Sequence, residues 1–256
     1  MSPTRLSLLR NIGLIAVGFV IALLITNRRT ERPVAATTPN QTSGETVIEV
    51  APDGGRSGFD PLSNAEMAQA EKIGLAALFN TREKIPLNPN VPANAQLEVI
   101  KIERHEESKD VYAGAGWDRR ADVVIYDYGR DQLLVQVVNL TSGKLDSSDT
   151  AKGVQPQPTA RETARALQLV LDHPQAGPAV RGQYQQISGK SLIEAKQITA
   201  RGLAFYSEPT AAAAVLAADC GVHRCVQLLL STDQNVVLDA TPIVDLSTGR
   251  FINLNK

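Results

Sequence analysis

The sequence predicts an α+β protein with two tandem related domains. Each is a helix packed on a small antiparallel sheet, and both stand behind an N-terminal transmembrane helix. Three observations predict this. The octapeptides Val138-Asn139-Leu140-Thr141-Ser142-Gly143-Lys144-Leu145 and Val244-Asp245-Leu246-Ser247-Thr248-Gly249-Arg250-Phe251 repeat one pattern of strand, polar turn with Gly, basic residue and second strand. Upstream of each lies a helix with the same start signal, a Ser or Thr three residues before a Glu. An apolar run with no charge occupies residues 12–25.

Counted from Leu6, with Arg10 reaching back toward the headgroups, the apolar run covers about 30 Å at roughly 1.5 Å per residue, one hydrocarbon core. Residues 1–27 therefore read as a short tail and an anchor that contacts the membrane through residues 6–26. Val34-Ala35-Ala36 has the small side chains of a signal-peptidase site. Arg28, Arg29 and Arg32 stand between that site and the apolar run, which favours an uncleaved anchor over a signal peptide. A short tail before the anchor and a large body after it favour an exported, bacterial periplasmic-side body.

Of the 26 basic and 27 acidic residues, five Arg and one Glu fall within the first 32, which leaves 21 and 26 for the rest. Such a mildly acidic body is a poor nucleic-acid binder, because phosphate contacts need clustered Lys and Arg. Hydrophobic residues make up 43% of the chain but aromatics only 4%, so Ala, Val, Leu and Ile must build the core. Residues 28–57, rich in Thr, Pro, Gly and Asn, bury too little to offset ordering entropy and read as a linker. Within it Val47, Ile48 and Val50 suggest a short strand.

The first domain, residues 58–151, opens with Ser63 and Glu66 in capping-box spacing. Met67, Ala70, Ile73, Ala77 and Leu78 follow at helical spacing, and the helix should stop near Asn80. Strands are expected over 97–103, 122–128 and 133–140, with Gly129-Arg130-Asp131 as a hairpin turn. The second domain, residues 152–256, enters through Gly153-Val154-Gln155-Pro156-Gln157-Pro158 and repeats the capping box with Thr159 and Glu162. Ala164, Leu167, Val170 and Leu171 form the expected apolar stripe, ended by His173-Pro174. Strands are expected over 198–206, 225–231, 236–246 and 250–254, with an added Ala-rich helix over 209–218.

The order of these pieces resembles the N-terminal accessory (N2/N3-like) domains of copper amine oxidases. The likeness rests on Asp60-Pro61-Leu62-Ser63, Arg120-Ala121-Asp122-Val123-Val124, Val137-Val138-Asn139-Leu140 before Gly143, Gly153-Val154-Gln155-Pro156 and Pro242-Ile243-Val244-Asp245-Leu246. It spans residues 58–254 and implies a fold. The catalytic domain of that family makes its cofactor from a Tyr that follows Asn and holds copper on three His. Here Tyr112, Tyr126, Tyr128, Tyr184 and Tyr206 follow Val, Ile, Asp, Gln and Phe, and His105, His173 and His223 form no His-x-His pair. No amine oxidation, cofactor or metal is therefore expected. A looser resemblance is to exported PepSY-type domains, which also pair a helix with a hairpin. The repeated octapeptide reads as turn chemistry in either case: Gly takes the positive φ, and Ser, Thr and Asn bond the nearby backbone.

Two features outside the repeat invite a functional reading. Cys220-Gly221-Val222-His223-Arg224-Cys225 places two thiols and an imidazole in six residues. In an oxidising compartment a Cys220–Cys225 disulfide is the simplest reading; free thiols, or a redox or metal site with His223, are the alternatives. Trp117, on the loop Gly114-Ala115-Gly116-Trp117-Asp118, reads as a partner contact or as a plug for the sheet end. The charged run Glu103-Arg104-His105-Glu106-Glu107 reads as a solvated strand end. The expected function is a non-catalytic, membrane-anchored binding or scaffold protein with an unidentified protein partner. The alternatives are a redox or metal-dependent protein using Cys220, His223 and Cys225, and a carrier of a small ligand or peptide between the two domains.

Overall fold

The computed structural model describes residues 59–81, 87–114, 116–207 and 218–252. The expected anchor, the linker with its short strand, and residues 209–217 of the helix expected over 209–218 lie outside the described residues. No helix among the described residues is long and apolar enough to cross a membrane.

Helix α1 (Asn64–Thr81) starts where the capping box requires. The Glu66 carboxylate accepts from the Ser63 N–H at 2.7 Å, and the Ser63 Oγ accepts from the Glu66 N–H at 3.3 Å. Four antiparallel strands follow in simple order: β1 (Leu97–Arg104), β2 (Arg120–Asp127), β3 (Gln132–Asn139) and β4 (Lys144–Ala151). A short helix α2 (Lys109–Ala113) links β1 to β2. Polar β4 (KLDSSDTA) has no buried residue and serves as an edge, where charge guards against stray pairing. Ala121, Val123, Ile125, Leu134 and Val138 form the sheet face under α1, closed by Ala70.

Helix α3 (Ala160–Asp172) carries the second capping box, and both of its reciprocal bonds are present. Its buried face is Ala166, Leu167, Val170 and Leu171. Ala164, expected in that stripe, is instead exposed. After His173 the chain forms a further helix, α4 (Ala176–Ser188), which the sequence does not predict. Its Gly and Pro content gives it weak intrinsic propensity. Burial of Val180 and Tyr184 supplies what propensity does not.

The second sheet is β5 (Thr199–Ala204), β6 (Cys225–Ser231), β7 (Ile243–Asp245) and β8 (Arg250–Ile252), again antiparallel and in order. The strand expected over 236–246 is mostly irregular. Leu238 N–H bonds Leu230 O and Leu228 N–H bonds Pro242 O, so residues 239–241 bow out between two fixed points. Pro242 has no N–H to give the ladder, which explains the late start of β7.

All described residues fall within one compact unit, Asp53–Lys256. Its largest apolar cluster crosses the boundary expected at residue 151. Tyr126, Tyr128 and Leu133 from the first sheet pack with Leu167 and Val170 of α3 and with Val226, Leu228 and Val244 of the second sheet.

Candidate functional site

The repeated octapeptide and the capping box are two ends of one device. In the first half Arg119, just before β2, sends Nε to Glu66 Oε1 at 3.0 Å and Nη2 to Pro61 O at 2.9 Å. Its N–H donates to Thr141 Oγ1 at 2.8 Å, and its carbonyl accepts from Leu140 N–H at 2.7 Å. In the second half Arg224, just before β6, sends Nε to Glu162 Oε1 at 2.9 Å and Nη2 to Gln157 O at 3.4 Å. Its N–H donates to Ser247 Oγ at 3.0 Å, and its carbonyl accepts from Leu246 N–H at 2.7 Å. Asn139 and Asp245 hold the turns by accepting from Ser142 N–H at 2.9 Å and Thr248 N–H at 3.1 Å. Gly143 and Gly249 take φ of 68° and 70° there. Each half is thus closed by an Arg that clamps the start of the helix to the β-hairpin.

The second clamp is buried and saturated. Arg224 is 0% and Glu162 2% exposed. Arg224 also donates through Nη2 to Glu162 Oε2 at 2.8 Å, and through Nη1 to Pro156 O at 2.6 Å and Gln155 Oε1 at 3.3 Å. All five of its N–H groups therefore have acceptors, and its guanidinium stacks over Tyr126. Glu162 accepts in addition from Tyr128 Oη at 2.7 Å and Thr159 N–H at 2.8 Å. Burial pushes Glu162 up, but Arg224, Tyr128 and the Thr159 N–H outweigh it and hold its carboxyl below the usual range. Burial, reinforced by Glu162, pushes the Tyr128 phenol well above its ordinary value.

Other polar bonds join the halves around this pair. Glu98 of β1 accepts from Arg161 Nη2 at 2.8 Å and Thr159 Oγ1 at 2.7 Å. Asn88 donates to Tyr128 O at 3.2 Å and Ser247 O at 2.8 Å. Asp131, in the β2–β3 turn, accepts from Ser247 Oγ and from Tyr126 Oη. Burial raises the Asp131 carboxyl above its usual range despite these donors.

Cys220 and Cys225 form a disulfide. It closes the turn that delivers Arg224 into the core. His223 turns the other way, with Nδ1 3.0 Å from Asp245. Burial lowers its pKa, but Asp245, Asp131 and Asp219 outweigh burial and raise it. Trp117 is half-buried and meets Tyr112 edge-on at 5.5 Å; Tyr112 in turn meets Phe59 at 4.8 Å. The charged strand end is an ion-pair cluster rather than a free loop: Arg120 meets Glu107, Asp118 and Asp146 at 2.8–3.2 Å, and His105 lies 2.6 Å from Asp122. His173 caps α4, its Nδ1 accepting from Ala176 N–H at 3.2 Å. Among the described residues no group of three or more His, Cys, Asp or Glu is arranged to hold a metal ion.

Two grooves remain. One of about 340 Å³ lies between α4 and the β7–β8 hairpin, lined by Ala176, Val180, Pro242 and Phe251 with Gln227 and Asp239. The other, about 550 Å³, runs between α3 and β5. Neither is lined by a residue before Pro158. The junction between the halves is filled by the Arg224 network and the shared core. The signal that would have exposed the clamps was present in the sequence: an Arg stands just before the central strand of both halves. The groove beside α4 left no signal, since it depends on a helix and an interrupted strand that the sequence does not predict; the groove between α3 and β5 joins two predicted elements whose spacing only the fold sets.

No protein-family model and no curated protein matches this chain. Among solved structures the chain is similar to a copper-containing benzylamine oxidase from Hansenula polymorpha, with 13% identity and a TM-score of 0.49. The match covers 77% of this chain and 30% of that one.

Proposed function

We propose that this chain is a non-catalytic, membrane-anchored binding or scaffold protein. Its exported body would be two related α+β units of the amine-oxidase N-terminal type. The observation that carries the reading is the saturation of the Arg224–Glu162–Tyr128 network. Buried ionisable groups with displaced pKa values are where catalysis is usually sought. Here every donor of Arg224 is engaged within the fold, and Glu162 accepts four hydrogen bonds there. Both thiols are likewise taken by the disulfide, a bond that suits an oxidising compartment. The grooves on the second half are then candidate surfaces for a partner.

The test uses the full chain expressed in bacterial cells. Thiols are blocked under denaturing conditions, then reduced and counted again, while spheroplasts are treated with external protease. The expected result is two thiols after reduction and none before, a body digested from outside, and a chain that stays with membranes through alkaline carbonate washing. Two reactive thiols before reduction, or release by carbonate, would contradict the reading.

A further inference from the structure

We propose that the outer edge of β5, with the groove between it and α3, binds an extended peptide segment of a partner protein as an added strand. The bound segment would alternate apolar and acidic side chains. The inference rests on the binding reading above and names its site.

The sheet register decides which backbone groups are free. Thr199, Arg201 and Leu203 pair with Ser231, Leu229 and Gln227 of β6, and Phe205 N–H bonds Cys225 O. Odd-numbered residues of β5 therefore turn their N–H and C=O toward β6. Those of Ala200, Gly202 and Ala204 point away from the sheet, because β5 is an edge strand. These are the smallest side chains in the strand, so a second backbone can approach closely.

The other edges differ. β4 carries Lys144, Asp146 and Asp149, β1 carries Glu98, Lys101 and Glu103, and β8 has only three residues. Charge and brevity are the usual protections of an edge. Along β5 the only charged residue is Arg201.

Helix α3 supplies the wall. Ala160 and Ala164 are exposed, and with Pro158, Leu167 and Ala200 they line the groove. Gly202 lets the helix start sit close to β5: a Cβ there would lie 2.4 Å from Thr163 Oγ1 and 2.8 Å from Pro158. A helix flanking an unprotected edge strand is the arrangement used for recognition by strand addition, with main-chain bonds for affinity and alternate pockets for specificity. The groove volume of about 550 Å³ lies in the range of ligand sites.

Charge complementarity selects the partner's chemistry. Arg201 is the only charged residue lining the groove, it is exposed, and among the described residues it forms no ion pair. Residues of the added strand opposite Ala200 and Gly202 would face α3 and must be apolar. The residue between them, opposite Arg201, would lie on the outer face and gains most from a carboxylate. The motif is therefore apolar–acidic–apolar in extended form.

The test displays a random linear hexapeptide library on phage against the full-length protein in nanodiscs, then measures binding of the enriched peptide by fluorescence anisotropy. An apolar–acidic–apolar consensus is expected. Replacing the central acid by its amide should weaken binding about two- to fivefold, and Arg201→Gln should remove that difference. N-methylation of the two apolar residues, which blocks main-chain pairing, should abolish binding, as should Ala164→Glu at the exposed wall. All of these substitutions are on the surface, and unchanged thermal melting confirms that they fold. No enrichment, equal binding of acid and amide, or tolerance of N-methylation would overturn the proposal. So would a wild-type dimer that the same variants dissociate, which would assign the edge to a second copy. Membrane retention and thiol count in the same preparation report on the broader reading independently.

Discussion

Arg119 and Arg224 occupy the same place in two copies of one unit, with the same helix-start Glu, the same hairpin hydroxyl and the same turn. Their surroundings differ. Arg119 and Glu66 are 11% and 19% exposed at the side chain, while Arg224 and Glu162 are 0% and 2%. Shared wiring therefore does not imply shared energetics. A pair near the surface is screened by water and gains little. A buried pair has already lost its hydration, so removing one partner strands a charge in the core. The second copy has become part of the junction between halves, through Tyr128 of the first sheet. Among the described residues the first copy joins α1 to its own hairpin.

The largest effect should come from breaking the buried clamp on one side. Arg224→Gln is expected to destabilise by about 3–5 kcal/mol. For a unit of this size that is a fall of about 6–20 °C in melting temperature, readable by calorimetry. Replacing both partners, Arg224→Met with Glu162→Met, should cost less than either single change.

Next in size, and opposite in sign, is Gln136. Three residues before the turn Asn or Asp, the second sheet has Pro242 where the first has Gln136. Gln136 is fully buried, and neither polar atom of its amide has a hydrogen-bond partner. Its Oε1 also lies where a Cβ on Gly74 would stand, at 2.6 Å. Gln136→Leu should stabilise by about 1–3 kcal/mol, the cost of leaving such groups unpaired. A loss of stability on chemical unfolding would show that the amide has a partner.

Arg119→Gln should cost about 1 kcal/mol or less, a shift of about 4 °C at most. The smallest effect is a slope. Asp245 and Asp131 raise the pKa of His223 in the folded state against the lowering effect of burial. That contribution is complete below about pH 6.5, the unfolded value, and is lost as pH rises through the folded value. Melting temperature should therefore fall as pH rises above about 6.5, and His223→Asn should flatten this part of the profile. Glu162 runs the other way. Its folded pKa is lowered, so its contribution is present above the ordinary carboxyl value of 4.5 and fades as pH falls through the folded value.

What the sequence disclosed follows from range. Both capping boxes, the hairpin turn after Tyr128, the two repeated turns and the bounds of β6 depend on neighbours a few residues away, and local chemistry determines them. The clamps join residues 53 and 62 positions apart, so their parts were visible but their pairing was not. Ala164 has helical spacing for the core, yet the width of the second sheet leaves it beside an edge. Helix α4 has poor propensity and exists because its buried side needs cover. Pro242 was in view and still allowed a long strand to be expected, because a single missing N–H is easily overlooked in an apolar run. The disulfide followed from two Cys at close spacing. Trp117 reads from the sequence as a contact or a plug, and in the fold it meets Tyr112 edge-on.

The most direct measurement is a pair of double-mutant cycles in the full-length protein, followed by urea unfolding in nanodiscs. One cycle uses Arg224→Gln and Glu162→Gln; the other uses Arg119→Gln and Glu66→Gln. A coupling several times larger for the buried pair is expected, about 3 kcal/mol against less than 1. Equal couplings would contradict the claim that one copy of this clamp became the core of the molecule.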